Sequence, residues 1–138
     1  EKEGPTPASE VSRGMATMTS GQSMLNSQTW AVVGDALNEK KPAFDVAERL
    51  RQSGKVVYIV DPREKEGRCF TSLSDCPQPV DVVDLIISPR LGPTIIDEMQ
   101  NLGIQNVFIQ PGASSQEILE KCGDAGIEVH HGCVLREL

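Results

Sequence analysis

The chain opens without apolar periodicity. Residues 1–14, EKEGPTPASEVSRG, mix proline, glycine, serine and charge, and predict a flexible tail. Residues 15–28, MATMTSGQSMLNSQ, offer a short helix through Met15, Met18 and Leu25, with Gly21 counting against it. From residue 29 the texture changes. TWAVVG, KVVYIVDP, VDVVDLIISP, NVFIQPG and IEVHHGCV are short β-branched, apolar runs; the second is apolar throughout, as expected of a strand covered on both faces. Between them, PAFDVAERLRQSG, GPTIIDEMQNLG and SSQEILEKCGDAG read as helices. Val46, Ala47 and Leu50 share one face of the first, with Arg49 and Arg51 turned to water; Ile95, Met99 and Leu102 repeat at helical spacing in the second. Pro42 suits a first turn, and Gly54 and Gly103 suit helix ends. Ser114 with Glu117 three residues later predicts a capping box for the last helix. REKEGRCFTSLSDCPQP is irregular, with one helical turn over Ser72 to Asp75.

Strand and helix alternate at the spacing of parallel strands joined by right-handed crossovers. The expected fold is α/β: a Rossmann-like three-layer α/β/α sandwich with a parallel five-stranded sheet over residues 29–138, preceded by the tail over 1–28. Strand order 3-2-1-4-5 is expected, and periodicity alone leaves a flavodoxin-like order open.

Composition narrows the function. A chain of 138 residues, 38% hydrophobic and 4% aromatic, supports one core built from Val, Ile, Leu and Ala. A net charge of −7 argues against nucleic acid and anionic membrane as partners, so local groups must hold any anionic ligand. Cys69, Cys76, Cys122 and Cys133 lack the two-residue spacing of zinc or redox motifs, and no metal site is expected. With no secretory signal visible, reduced thiols and a cytoplasmic location are expected, an organellar one being compatible. No apolar run is long enough to span a bilayer. So small a sheet makes a homodimer one expectation.

In open α/β sheets ligands bind outside the carboxyl ends of the strands. Those ends here are Gly34-Asp35-Ala36, Asp61-Pro62-Arg63, Ser88-Pro89-Arg90 and Gln110-Pro111-Gly112. Turn geometry alone calls for such residues, so their meeting on one edge is what marks the site. The first turn can seat a diphosphate: the next helix begins with unpaired amides and a partial positive charge, and Gly34 permits close approach. Lys40 and Lys41 can reach over it, as can Arg63 and Arg90. GDALNE lacks the later glycines of the dinucleotide fingerprint. Asp61 closes the second strand where a ribose-binding acid belongs, but further past Gly34 than the ~20 residues usual for that role. NAD therefore stays as an alternative cofactor.

Three stretches together resemble a known family. WAVVGDALNEKKPAFDVAERLRQSGKVVYIVDP resembles the opening of the CoA-binding domain proteins, stand-alone Rossmann-like units similar to the nucleotide-binding domain of the succinyl-CoA synthetase alpha subunit. EKEGRCFTSLSDCPQPVDVVDL and VFIQPGASSQEILEKCGDAGIEV resemble the pieces that follow, and Cys133 matches a cysteine near the family's end. The resemblance implies binding of coenzyme A or acyl-CoA. Gly34, Asp35 and Ala36 would form the phosphate turn, with Pro42 opening its helix. Pro62, Arg63 and Lys65 would lie beside the adenosine and its 3′-phosphate. Ser88, Pro89 and Arg90 would border the nucleotide, and Gln110, Pro111 and Gly112 would face the pantetheine. Two residues depart from the family: Asp35 stands where a small residue is usual, and Asp61 where an Asn is usual.

Catalysis is not expected. The synthetase it resembles uses a phosphohistidine from a further domain. His130 and His131, adjacent on a strand, should point to opposite faces. The leading expectation is a non-catalytic module for coenzyme A. The alternatives are an NAD(H)-binding enzyme or redox sensor, and an interaction protein with a degenerate pocket.

Overall fold

The computed structural model describes residues 19–138, so the expectations for residues 1–18, Met15 and Met18 included, lie outside the described residues. In chain order the elements are α1 (Ser20–Leu25), β1 (Thr29–Gly34), α2 (Pro42–Gln52), β2 (Val56–Val60), a 3₁₀ turn (Leu73–Asp75), β3 (Val82–Ile86), α3 (Gly92–Leu102), β4 (Asn106–Ile109), α4 (Gln116–Ala125), β5 (Glu128–His131) and α5 (Val134–Glu137).

The five strands form one all-parallel sheet in the order β2-β1-β3-β4-β5. This corrects the expected 3-2-1-4-5 in favour of the flavodoxin-like arrangement. Burial explains why. VVDLI in β3 is buried at four positions of five, which requires covered faces and a neighbour on each side, whereas VVYIV in β2 is half-exposed over its first three residues. The outer edge of β2 is also partly occupied: Phe70 bridges Val60, its N–H donating to the Ile59 carbonyl at 3.2 Å. β3 therefore lies on the inner side of β1.

Helices cover both faces. Ile95, Ile96 and Met99 of α3 and Ile118 and Cys122 of α4 pack on Ala31, Val33, Val83, Leu85, Val107 and Ile109. On the other face Met24 of α1, Val46, Ala47 and Leu50 of α2, and Val134 of α5 pack on Trp30, Val32, Val82 and Phe108. Two glycines permit close approaches. A Cβ on Gly92 would lie 2.5 Å from Ile118 Cδ1, so α3 and α4 meet there only without a side chain. A Cβ on Gly21 would lie 2.4 Å from the His130 ring. This poor helix former is what lets α1 rest on β5, with Met24 inserted into the core.

Two local expectations shift. The cap of α4 is Ser115, whose Oγ accepts the Ile118 N–H at 3.2 Å. Starting one residue late puts Ile118 at the third helical position, so the box expected of Ser114 and Glu117 does not form. A capping box occurs instead in α1, between Thr19 and Gln22. Arg49 does not simply meet water: its Nη1 donates to the Leu135 carbonyl at 3.4 Å, tying α2 to α5.

Candidate functional site

The strand order reverses between β1 and β3, so the crevice at their carboxyl ends is the switch point of the sheet. Gly34 makes it: a Cβ there would lie 2.3 Å from the Ile86 carbonyl oxygen. α2 begins directly above with Pro42 in its first turn and no side-chain cap, leaving first-turn amides without a side-chain partner. A cavity of about 190 Å³ at this corner is lined by Asp35, Lys41, Pro42, Arg63 and Ser88, among others.

The corner opens sideways. A hollow of about 610 Å³ is lined by Asp35, Leu37, Asn38, Glu39, Lys40 and Arg68. Asn38 shapes its wall, accepting the Lys40 N–H on Oδ1 at 3.0 Å and the Lys41 N–H on its carbonyl at 2.9 Å. A third hollow, about 480 Å³, runs along β2 past Leu37, Ile59, Arg68 and Phe70. Asp35 belongs to the first two, Leu37 and Arg68 to the last two, so the three form one trough. At the opposite end of the sheet a hollow near Leu73, Leu102 and Ile104 has no charged side chain in its wall.

The residues singled out in the sequence divide accordingly. Asp35, Lys41, Pro42, Arg63 and Ser88 come together at the corner, with Lys40 beside it. Gly34 and Ala36 are buried and offer backbone only. Pro62 is exposed next to Arg63, and Lys65 is exposed but lines none of the three hollows. Pro89 and Arg90 follow Ser88 outward, the Arg90 N–H donating to Ser88 Oγ at 3.4 Å. Gln110, Pro111 and Gly112 stand at the end of β4, across β3 from the trough. Gln110 is 2% exposed, and its amide is committed: Nε2 donates to the Gly132 carbonyl and Oε1 accepts the Val134 N–H, both at 3.1 Å. It clamps the C-terminal segment through one donor and the oxygen of its amide.

Six of the chain's thirteen Lys and Arg, Lys40, Lys41, Arg63, Lys65, Arg68 and Arg90, follow the carboxyl ends of β1, β2 and β3. The same loops carry five acids, Asp35, Glu39, Asp61, Glu64 and Glu66, so the rim is close to balanced on a molecule of net charge −7. Asp61 Oδ1 accepts both the backbone N–H of Arg63, at 3.0 Å, and its Nε–H, at 3.1 Å. The Arg68 guanidinium and backbone N–H, donating to Glu64, hold that carboxyl down at about 2. One layer below the corner, Asp84 of β3 is fully buried and neither carboxyl oxygen has a partner among the described residues. Burial pushes its pKa well up, which favours the protonated form.

The histidines are engaged away from the trough. His130 Nε2 lies 2.8 Å from Glu137 Oε1 and its ring packs 4.8 Å from that of Phe108, while His131 Nε2 is 3.4 Å from Ser114 Oγ. All four cysteines are free, and burial raises the Cys76 and Cys122 thiols to about 11. Among the described residues no group of three or more His, Cys, Asp or Glu could hold a metal, and no helix is long and apolar enough to cross a membrane.

Sequence reasoning passed over Arg68, Leu37 and Asp84. The signal for Arg68 was its place after Gly67 in an irregular loop already rich in charge. Asp84 was legible as an acid in the middle of an apolar run.

Residues 28–138 match a family model described as CoA binding domain. Over 103 residues the chain is 28% identical to an ADP-forming acetate–CoA ligase II from Archaeoglobus fulgidus, a match covering 71% of this chain and 15% of the ligase. A hypothetical protein from Pyrococcus horikoshii OT3 superposes with a TM-score of 0.78 at 25% identity, over 99% of this chain and 96% of that one. A conserved hypothetical protein from Pyrococcus furiosus gives 0.72 at 31% identity, over 81% of this chain and all of that one (100%).

Proposed function

The chain belongs to the CoA binding domain family, and from that premise we propose that it binds coenzyme A or an acyl-CoA without itself catalysing a reaction. The observation that carries this reading is the corner at the β1–β3 switch point. There Gly34, the uncapped start of α2, Lys41 and Arg63 surround one cavity. A diphosphate set there is met by backbone amides, a helix dipole and two cations. The trough then leads toward β2, with room for the adenosine. The non-catalytic reading is supported by the histidines, whose ring nitrogens sit beside Glu137 and Ser114 rather than the trough. The matched ligase is much longer than this chain, which spans only 15% of it.

NAD is the second reading, favoured by Asp61 at the end of β2. Its Oδ1 accepts two N–H groups of Arg63, which fixes the carboxylate and leaves Oδ2 as the oxygen for a ribose hydroxyl. Calorimetric titration of the full chain with CoA, dephospho-CoA and NAD separates the readings. Binding of CoA with no heat from NAD is expected; tight NAD binding, or silence from CoA, overturns the proposal.

Asp35 sets the affinity. It lines both the corner and the middle hollow, so its charge repels a diphosphate seated there. Asp35→Ser should tighten CoA binding about tenfold, the effect of removing one like charge a few ångströms away where water screens most of the repulsion. The same titration measures it.

A further inference from the structure

The trough changes character along its length, and one side chain stands at the change. Toward the corner its walls are Asp35, Lys41 and Arg63; along β2 they are Leu37, Ile59 and Phe70. Arg68 lines both the middle and the outer hollow. Its guanidinium is anchored on one edge. Glu64 Oε2 accepts the Arg68 backbone N–H at 2.8 Å and the Nε–H at 3.1 Å, and Oε1 accepts from Nη2 at 2.9 Å. Glu66 Oε1 lies 3.7 Å from the same Nε. The Glu64 side chain is 6% exposed and that of Arg68 60% exposed, so the carboxylate lies on the protein side and the arginine on the trough side. Nη1 has no partner among the described residues and keeps both of its donors for a ligand.

We infer that Arg68 is a specificity-determining residue of this site, and that it reads a phosphomonoester on the ribose of a 3′-phosphorylated adenine nucleotide. The inference rests on the coenzyme A reading of the same trough. A ligand with its diphosphate at the α2 corner carries its ribose into the middle hollow and its base toward the apolar wall at β2. A phosphomonoester on that ribose is a dianion beside a molecule of net charge −7, and needs a cation already in place. Arg63 sits at the corner and is bonded to Asp61. Lys65 lines none of the three hollows, and Lys40, which shares the middle one, has no side-chain bond among the described residues to fix it. Arg68 combines the right place with a planar fork held before the ligand arrives, so little side-chain freedom is lost on binding. Glu64 acts through it as a positioning residue.

The test is calorimetric titration of the wild-type chain, Arg68→Gln and Arg68→Lys with CoA and with dephospho-CoA, folding being monitored by circular dichroism. The wild type should prefer CoA by about tenfold or more, the range for a charge-assisted phosphate contact. Arg68→Gln should bring the ratio to within about twofold, the loss falling mainly on CoA, and Arg68→Lys should fall between, since an ammonium loses the fork that Glu64 orients. A wild type that binds both ligands equally overturns the inference and leaves the coenzyme reading standing. A preference that survives in Arg68→Gln also overturns it. Should Arg68→Gln not fold, an unchanged ratio in Arg68→Lys has the same force. A wild type that binds neither ligand removes both readings at once.

Discussion

Under α3 and α4 the strands present Ala31, Val33, Val83, Leu85, Val107 and Ile109, an aliphatic surface closed by Ile95, Ile96, Met99 and Ile118. Under α1, α2 and α5 the same strands present Trp30, Val32, Asp84, Phe108 and His130, so aromatic and ionisable groups share the space. The first face is held by many small interchangeable contacts. The second depends on a few large ones, among them the tilted Trp30–Phe108 pair at 5.8 Å, and tolerates a buried acid. It is also the face whose helix α2 starts at the trough and whose strand ends are clamped by the C-terminal segment. Packing demand and site construction meet there, and the polar compromises gather with them.

The contrast predicts unequal responses to mutation. Trp30→Ala should cost about 3–5 kcal/mol, since it empties a large buried volume and removes the Nε1–H bond to the Ser27 carbonyl at 3.0 Å. Ile96→Val on the aliphatic face should cost only about 0.5–1.5 kcal/mol. Urea denaturation of the two variants checks the difference, and equal losses would break the comparison.

Asp84→Val should act in the opposite direction, stabilising the fold at neutral pH by about 1–3 kcal/mol through removal of an unpaired buried carboxyl. The sign follows from its raised pKa. Below the unfolded value of about 3.9 both states carry the proton and nothing is lost. As pH rises past that value the unfolded chain releases the proton while the folded chain keeps it. Stability therefore declines from pH ~4 up through the folded pKa. Denaturation midpoints at several pH values should fall along this window in the wild type, and the variant should lack that part of the slope. Glu64 has the opposite sign: its carboxyl is depressed to about 2, so its contribution is present above pH ~4.3 and fades in stronger acid. A loss as small as that of Ile96→Val is expected from Ser115→Ala, about 1 kcal/mol for the lost cap of α4. A loss of several kcal/mol there would mean that the aliphatic face leans on polar groups after all.

Elements were read more easily than their neighbours. The runs at Trp30, Val56, Val82, Val107 and Val129 announce strands because β-branched side chains suit a covered sheet, and Pro42 and Gly103 announce helix boundaries because their backbones permit little else there. The cap of α4 was misplaced by one residue because Ser114 and Ser115 are equally good caps in sequence, and only the register of Ile118 against the sheet chooses between them. Of the rim residues, Asp35, Lys41, Pro42, Arg63 and Ser88 were visible as polar or turn-forming residues after apolar runs. Gln110 looked the same, yet its amide turns inward to Gly132 and Val134, partners supplied by a segment more than twenty positions away.

Local sequence determined the α/β class, the number of strands, the helices between them and the edge of the sheet where charge collects. Hydrophobic period and backbone constraint act within a few residues, so they leave a trace that can be read along the chain. Tertiary structure alone decided that β3 pairs with β1, that Glu64 holds Arg68 at the middle of the trough, and that Asp84 is left without a partner. Each of these depends on which distant segments share a surface, and that choice is made by the packing of the whole core rather than by any stretch of it.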